Sequence, residues 1–278
     1  MFSDLIYAVI LGVIEGITEW LPISSTAHII IAQKILEALQ IKTSFTEEFM
    51  IMFDVVIQLG AIFAVVITYY KKLYPFKYNN EIYGKKDKIN IWIKVIIACI
   101  PLVVIGFIFD DIVTKIFYNL LTIGITLIFY GFVFIILENR NKIKKYEITD
   151  VKRLNRKKAL AIGFFQTLAI IPGTSRSGIT IISGSMFGCN RKSATEFSFF
   201  LSIPVMIGAS GYKFIKYLLK YTILFNEVII LLIAMLTAMI VSLFVIKKLL
   251  SFIEKYSFKV FGFYRVFLGI IILIMYFL

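Results

Sequence analysis

EGITEWLPISSTAH, residues 15–28, gathers two glutamates, a run of hydroxyl residues and the only histidine of the chain into otherwise apolar sequence. Glu15 and Glu19 are four apart and share one helical face. Two stacked acids in an apolar setting repel unless a divalent cation (Mg²⁺ or Ca²⁺) or a shared proton lies between them. The plainer alternative is a pair of glutamates bonding neighbouring helices. Pro22 then ends a helix, and Ser24, Ser25 and Thr26 are residue types that cap the start of another. Ser25 and His28, three apart, meet on one face, where hydroxyl and imidazole suit nucleophilic attack or proton transfer. A hydrogen-bonded core histidine is the bland reading of His28 taken alone.

A second polar cluster, IPGTSRSGIT (171–180), supplies what the first lacks. Gly173 and Gly178 let backbone N–H groups turn toward a ligand, and the helix start that follows favours an anion. Arg176 offers a planar, permanently charged fork that suits phosphate oxygens. Thr174, Ser175, Ser177 and Thr180 add hydroxyls. A Gly/Ser hinge with Arg176 paired to Glu15 or Glu19 is the structural alternative, and both hold if that pair forms in the empty site.

The elements that must position these clusters are apolar helices. The chain has 278 residues, 60% hydrophobic and 17% charged. Its recurring apolar runs of roughly 20 residues are long enough to cross a hydrocarbon core, and the short alternating segments of a transmembrane barrel are absent. The expected fold is an all-α polytopic membrane protein. Six full spans are predicted near 49–70, 91–109, 119–137, 197–219, 226–247 and 259–278. Residues 5–36 and 159–187 are apolar but broken by the two polar clusters, so each reads as a re-entrant helix-loop-helix with its tip inside the protein. The first segment does not read as a signal peptide: it lacks a basic leader and carries Asp4, Glu15 and Glu19. Cys99 and Cys189 give no disulfide framework.

The chain repeats. Pro22 and Ser25 match Pro172 and Ser175 at an offset of 150; Glu48-Phe49 matches Glu196-Phe197, and Gly60-Ala61 matches Gly208-Ala209, at 148. The reading is one membrane domain over 1–278, with repeats of about 1–137 and 159–278 joined by a basic loop, 138–158. One re-entrant element plus three spans per half makes the repeats inverted, and sites in such folds lie at the repeat interface. Placing 71–90, 139–158, 188–196 and 248–258 in the cytoplasm gives that side 19 Lys and Arg, against Lys42, Lys115 and Lys220 opposite, as the positive-inside rule requires. Both termini then face outside. The net charge of +13 therefore belongs to membrane topology, and no nucleic-acid partner is expected. Gln58, Gln166 and Asp54 either line a cavity or lock helices. Trp20 and Phe165 read as packing. Arg265 reads as a second phosphate ligand or a structural pair, and Asn190, Arg191 and Lys192 as an ordinary basic loop.

Acids, a hydroxyl, an imidazole and an arginine-bearing phosphate cradle, all at membrane depth, point to phosphoryl chemistry on an amphiphile. The residues resemble a known family. EGITEWLPISSTAH is similar to the ExxxE…PISSTxH motif, and PGTSRSGIT to the PGxSRSxxT motif, of the undecaprenyl-diphosphate phosphatases of the bacitracin-resistance type. FDVVIQLGAIFAV (53–65) and ATEFSFFLSIPVMIGA (194–209) resemble the family too, so the likeness covers nearly the whole chain. Ala27 stands where the family usually has Gly. The resemblance implies hydrolysis of the terminal phosphate of undecaprenyl diphosphate, recycling of a cell-wall lipid carrier and bacitracin resistance on overproduction. It further implies a divalent cation, a plasma-membrane location, an active site open to the outer face and the inverted-repeat fold. By motif match it carries over Glu15, Glu19, Ser25, His28, Ser175, Arg176 and Thr180 as functional residues. Joined to the residue reading, Ser25 or a water attacks phosphorus, His28 is the acid or base partner, and Glu15 and Glu19 hold the metal or move a proton. The polyprenyl diphosphate lipid and the bilayer are the expected partners; a homodimer is compatible with a sequence that does not fix the oligomeric state. The competing class is a flippase for a polyprenyl phosphate, which needs the Arg176 cradle but no nucleophile; a structural or channel protein leaves the polar set unexplained.

Overall fold

A computed structural model describes residues 2–41, 43–76, 83–141 and 146–277. Lys42 and the stretches 77–82 and 142–145 of the basic loops, with Lys77, Lys142, Lys144 and Lys145, lie outside the described residues. The described chain is helical throughout: α1 Phe2–Thr18, α2 Ser25–Ala38, α3 Glu47–Val56, α4 Gln58–Leu73, α5 Lys85–Phe117, α6 Leu120–Asn141, α7 Arg156–Gln166, α8 Arg176–Met186, α9 Arg191–Leu218, α10 Phe225–Lys255 and α11 Lys259–Phe277. Short 3₁₀ turns occupy Val151–Arg153 and Thr167–Ile170. Among the described residues no strand forms; a lone parallel bridge joins Ile148 to Cys189.

Six helical segments are long and apolar enough to cross a membrane: Glu47–Leu73, Lys85–Phe109, Leu120–Arg140, Arg191–Leu218, Phe225–Lys255 and Lys259–Phe277. They coincide with the six expected spans, and the chain is an all-α polytopic membrane protein. One difference is that the first span is two helices, α3 and α4, meeting at Ile57. The two polar-interrupted regions are helix pairs, α1 with α2 and α7 with α8, each joined through a short loop that carries one motif.

Side-chain caps set many of the helix starts. Ser24 accepts from the Ala27 N–H, Thr46 from Phe49, Asn155 from Lys158, Ser175 from Gly178 and Asn190 from Ser193, each satisfying a donor the first turn leaves unpaired. Asn190-Arg191-Lys192 is thus a helix start rather than a plain basic loop. Arg191 pairs with Glu138 of α6, and Lys192 with Glu254 of α10 at 2.8 Å. Lys72 of α4 pairs with Glu196 of α9 at 2.9 Å. These ties fasten the end of the bundle that the charge pattern places in the cytoplasm.

Glycines set the close crossings. Gly124 and Gly131 of α6 lie against the Gly269 and Gly262 carbonyls of α11, and Gly12 and Gly16 of α1 against the Ala234 and Ala238 carbonyls of α10. Gly163 of α7 sits on the backbone of Ala98 in α5, and Gly60 of α4 on that of Met235 in α10. Small residues at such contacts let helix backbones approach where no hydrophobic effect drives them together. The pairings run between the helices before the 138–158 loop and those after it: α1 on α10, α7 on α5, α6 on α11.

Candidate active site

The two motif loops meet in the centre of the bundle. Each ends on a serine whose backbone is held at positive φ: Ser24 at 74° and Ser175 at 69°. Non-glycine residues avoid this region, and it persists only where the surroundings impose it. Each of these serines caps the helix that follows, so α2 and α8 start with matched geometry. The structural counterpart of Ser175 is therefore Ser24, one residue earlier than the Pro22/Pro172 alignment makes it. Ser25 and Arg176, the residues after the caps, both open their helices and both line the same cavity.

That cavity has a volume of about 210 Å³. One wall is Glu19, Ser24, Ser25 and Thr26; the facing wall is Pro172, Gly173, Ser175, Arg176 and Ser177. Gln58, at the break between α3 and α4, lines it as well. Glu19 is the hub. Its Oε1 accepts from Arg176 Nη2 at 2.7 Å and its Oε2 from the Ser25 hydroxyl at 2.7 Å. Arg176 Nη1 donates to the Ser198 carbonyl at 2.9 Å, while its Nε is buried without a partner. One carboxylate thus orients both the hydroxyl and the guanidinium, with Glu19 and Ser25 on one wall of the cavity and Arg176 on the facing one.

The expected Ser25–His28 pair does not form. His28 Nδ1 lies 2.7 Å from the Ser24 carbonyl, the group four residues back along α2. A carbonyl only accepts, so Nδ1 donates and Nε2 is left to face the Tyr264 hydroxyl at 2.7 Å. The imidazole also stacks on the Tyr264 ring at 5.6 Å. It lines a separate apolar groove of about 590 Å³, behind the 19–28 loop. The bond back to its own first turn aims the ring away from Ser25.

Four other expected contacts fall outside the cavity. Glu15 is fully buried one helical turn before Glu19, with Oε1 unpartnered. Thr180 is engaged with Arg176 and Ser177 carbonyls and the Ser198 hydroxyl. The Gly178 N–H is used by the Ser175 cap. Thr174 is buried beneath the loop. Asp54 accepts both of its bonds from Gln33 and locks α3 to α2. Gln166 is fully buried away from the cavity, and Trp20 and Phe165 pack edge-on against Phe199 and Phe187.

Arg265 lies outside the cavity lining, and its partners are carbonyls rather than acids. Fully buried, it donates to the Pro22 carbonyl at 3.2 Å and to the Gly173 and Thr174 carbonyls at 2.9 and 3.1 Å. Its guanidinium lies 5.8 Å over the Tyr130 ring. One side chain therefore pins both motif loops through their backbones. Ser177 adds a further tie, donating to the Leu21 carbonyl at 3.3 Å, and Thr126 holds the Pro172 carbonyl at 2.8 Å. Nothing in the sequence marks carbonyl acceptors, so these supports left no signal beyond an arginine inside an apolar run.

A family model described as bacitracin resistance protein BacA matches residues 8–271. Over 99% of the chain it is 51% identical to an undecaprenyl-diphosphatase of Acetivibrio thermocellus, covering 98% of that protein. It is 52% identical to an undecaprenyl-diphosphatase of Enterococcus faecalis, over 98% of each chain. Against an undecaprenyl-diphosphatase of Streptococcus gordonii the identity is 46%, over 98% of this chain and 96% of the relative.

Proposed function

The chain belongs to the bacitracin resistance protein BacA family, and from that we infer a residue-level mechanism for releasing phosphate from undecaprenyl diphosphate. It is an undecaprenyl-diphosphatase, a membrane hydrolase that yields undecaprenyl phosphate and inorganic phosphate. The observation that carries the mechanism is the Ser25–Glu19–Arg176 arrangement, with both flanking bonds at 2.7 Å.

The diphosphate enters the cavity and Arg176 exchanges part of its contact with Glu19 for phosphate oxygens; its unpartnered Nε is a ready donor. N–H groups at the start of α8 add fixed partial positive charge. Glu19 is then released to accept the Ser25 proton. Ser25 Oγ attacks the terminal phosphorus, the bridging P–O bond breaks, and undecaprenyl phosphate leaves with that oxygen. Water hydrolyses the phosphoserine and frees inorganic phosphate and Ser25. Glu19, rather than His28, is the proton partner, because Glu19 holds the hydroxyl and His28 is turned to Tyr264. In this reading His28 positions the Ser24 carbonyl and hence the strained cap beside the nucleophile.

A divalent cation fits beside these residues in one way. Glu19 and Glu15 would hold it, the orphaned Glu15 Oε1 being the free ligand, and it would supply charge neutralisation on the diphosphate. Among the described residues no cluster of three or more potential ligands exists, so the protein alone offers no closed metal cage. The inverted repeat, the re-entrant placement of the α1–α2 and α7–α8 pairs, a plasma-membrane location and a site reached from the outer face complete the reading. Supporting them are the matched caps at Ser24 and Ser175, the crossed helix pairings and the charge bias of the loops.

The test is phosphate release from a C55 prenyl diphosphate by purified protein, with Mg²⁺, with Ca²⁺ and with chelator. Arg176→Ala should lose roughly 10²–10³ in kcat as a removed charge-stabilising donor, and Glu19→Gln roughly 10²–10⁴ as a removed base. Trapped phosphate on Ser25 identifies the serine as nucleophile; labelled-oxygen exchange without it assigns the attack to water. No release from folded wild type would move the assignment to lipid translocation.

A further inference from the structure

The two halves differ at one seam. Gly60 on α4 packs so tightly on Met235 of α10 that an added methyl would overlap the Met235 carbonyl. Gly208 on α9 is the matching glycine of the repeated sequence, and α5 stands to α9 as α10 does to α4. A methyl at Gly208 would meet nothing within 4 Å, nor would one at Gly106 of α5 or Gly211 of α9. The α4–α10 seam is closed at Gly60, whereas Gly106 of α5 and Gly208 and Gly211 of α9 face open space.

These open positions follow on from the active-site cavity along both helices. Leu102 of α5 and Val205 and Ala209 of α9 line that cavity. Gly106 lies one turn beyond Leu102, and Gly208 and Tyr212 lie one and two turns beyond Val205, on the same helical faces. The opening therefore runs from the cavity along both helices toward Phe117 and Leu218. Its flanks are apolar and exposed: Val103, Phe107 and Ile207 are 62%, 85% and 54% accessible.

We infer that this gap between α5 and α9 is the groove that binds the isoprenoid chain of the substrate. The inference rests on the phosphatase reading of the cavity. A diphosphate held by Arg176 carries an apolar chain that has to leave the protein into hydrocarbon. A polyisoprenoid bears a methyl branch on every unit, so its path needs width, and glycines on both walls supply it. The groove beside His28 cannot serve, because it shares no lining residue with the cavity. The closed α4–α10 seam blocks the corresponding route on the other side.

The test fills the groove where the structure has room. Gly208→Phe and Gly106→Phe are purified in detergent and assayed on C55 prenyl diphosphate and on geranyl diphosphate, whose short chain stays near the cavity. Ile240→Phe, at a lipid-facing position of α10, is the control. Both glycine variants should raise KM for the long substrate by roughly tenfold or more, the scale of a lost apolar subsite, and leave geranyl diphosphate turnover near wild type, which also certifies folding. Equal loss on both substrates, or no loss on either, overturns the groove. Wild-type release from geranyl diphosphate reports on the catalytic reading separately, since that substrate does not need the groove.

Discussion

At the scale of single residues, the site is organised by two charged groups with different duties. Glu19 faces the cavity and joins a hydroxyl to a guanidinium; Arg265 lies outside it and joins two loops. The first was legible in sequence, since an acid, a serine and an arginine in two opposed motifs have few other uses at membrane depth. The second was not, because its acceptors are carbonyls, which every residue has. The Ser25–His28 contact was misread for a related reason: spacing puts His28 near Ser25, but the partner of its Nε2, Tyr264, lies 236 residues away. Two outcomes follow. Arg265→Lys keeps the charge but has one ammonium where three carbonyls in two loops need a fork. Its kcat should fall by roughly 10²-fold, the cost of a misplacement near 1 Å, with KM little changed. Full activity in Arg265→Lys would show that only charge matters there. His28→Gln and Tyr264→Phe should each lose far less kcat than Glu19→Gln; a histidine variant as inactive as the glutamine one would return the base to His28.

At the scale of helices, what matters is how near two backbones come. The six spans were readable because an apolar run of that length has one stable form in lipid. The break at Ile57 was not: no proline or polar cluster marks it, and it falls beside Gly60, where α4 meets the backbone of α10. The same glycine logic separates two substitutions that look alike in sequence. At Gly131 a methyl would lie 2.7 Å from Val266 Cγ2 and 2.8 Å from the Gly262 carbonyl, forcing α6 from α11. At Gly106 it would meet nothing. Gly131→Ala should therefore cost about 1–3 kcal/mol, as overpacking does, and lower the thermal midpoint in detergent, while Gly106→Ala leaves it unchanged. Because α6 and α11 carry Tyr130 and Arg265, the surviving folded Gly131→Ala should also turn over more slowly. Equal midpoints for the two variants would mean that the α6–α11 seam yields easily and does not hold the loops.

At the scale of the molecule, the helices before the 138–158 loop pack on those after it. α1 packs on α10, α5 on α7, α4 on α10 and α6 on α11, so each half uses the other as its partner surface. PISS and PGTS match in sequence through Ser25 and Ser175, whereas the strained caps pair Ser24 with Ser175. The interleaving was not visible, since a repeated pattern is equally consistent with two halves that each fold alone and then dock. The ties between halves are also chemical: Glu19 with Arg176, Leu21 with Ser177, and Arg265 with both loops. Glu19 and Ser25 come from the part of the chain before the 138–158 loop and Arg176 from the part after it, so the proposed site needs both. Cutting the chain within the 138–158 loop and producing the two fragments together should restore phosphate release, because none of these contacts uses a residue of that loop. Either fragment produced alone should give none and should be degraded or aggregate, its α1 or α7 face having lost its helix partner. Two separately stable fragments that associate only weakly would mean that packing within a half, such as α8 on α9, outweighs the crossed pairings.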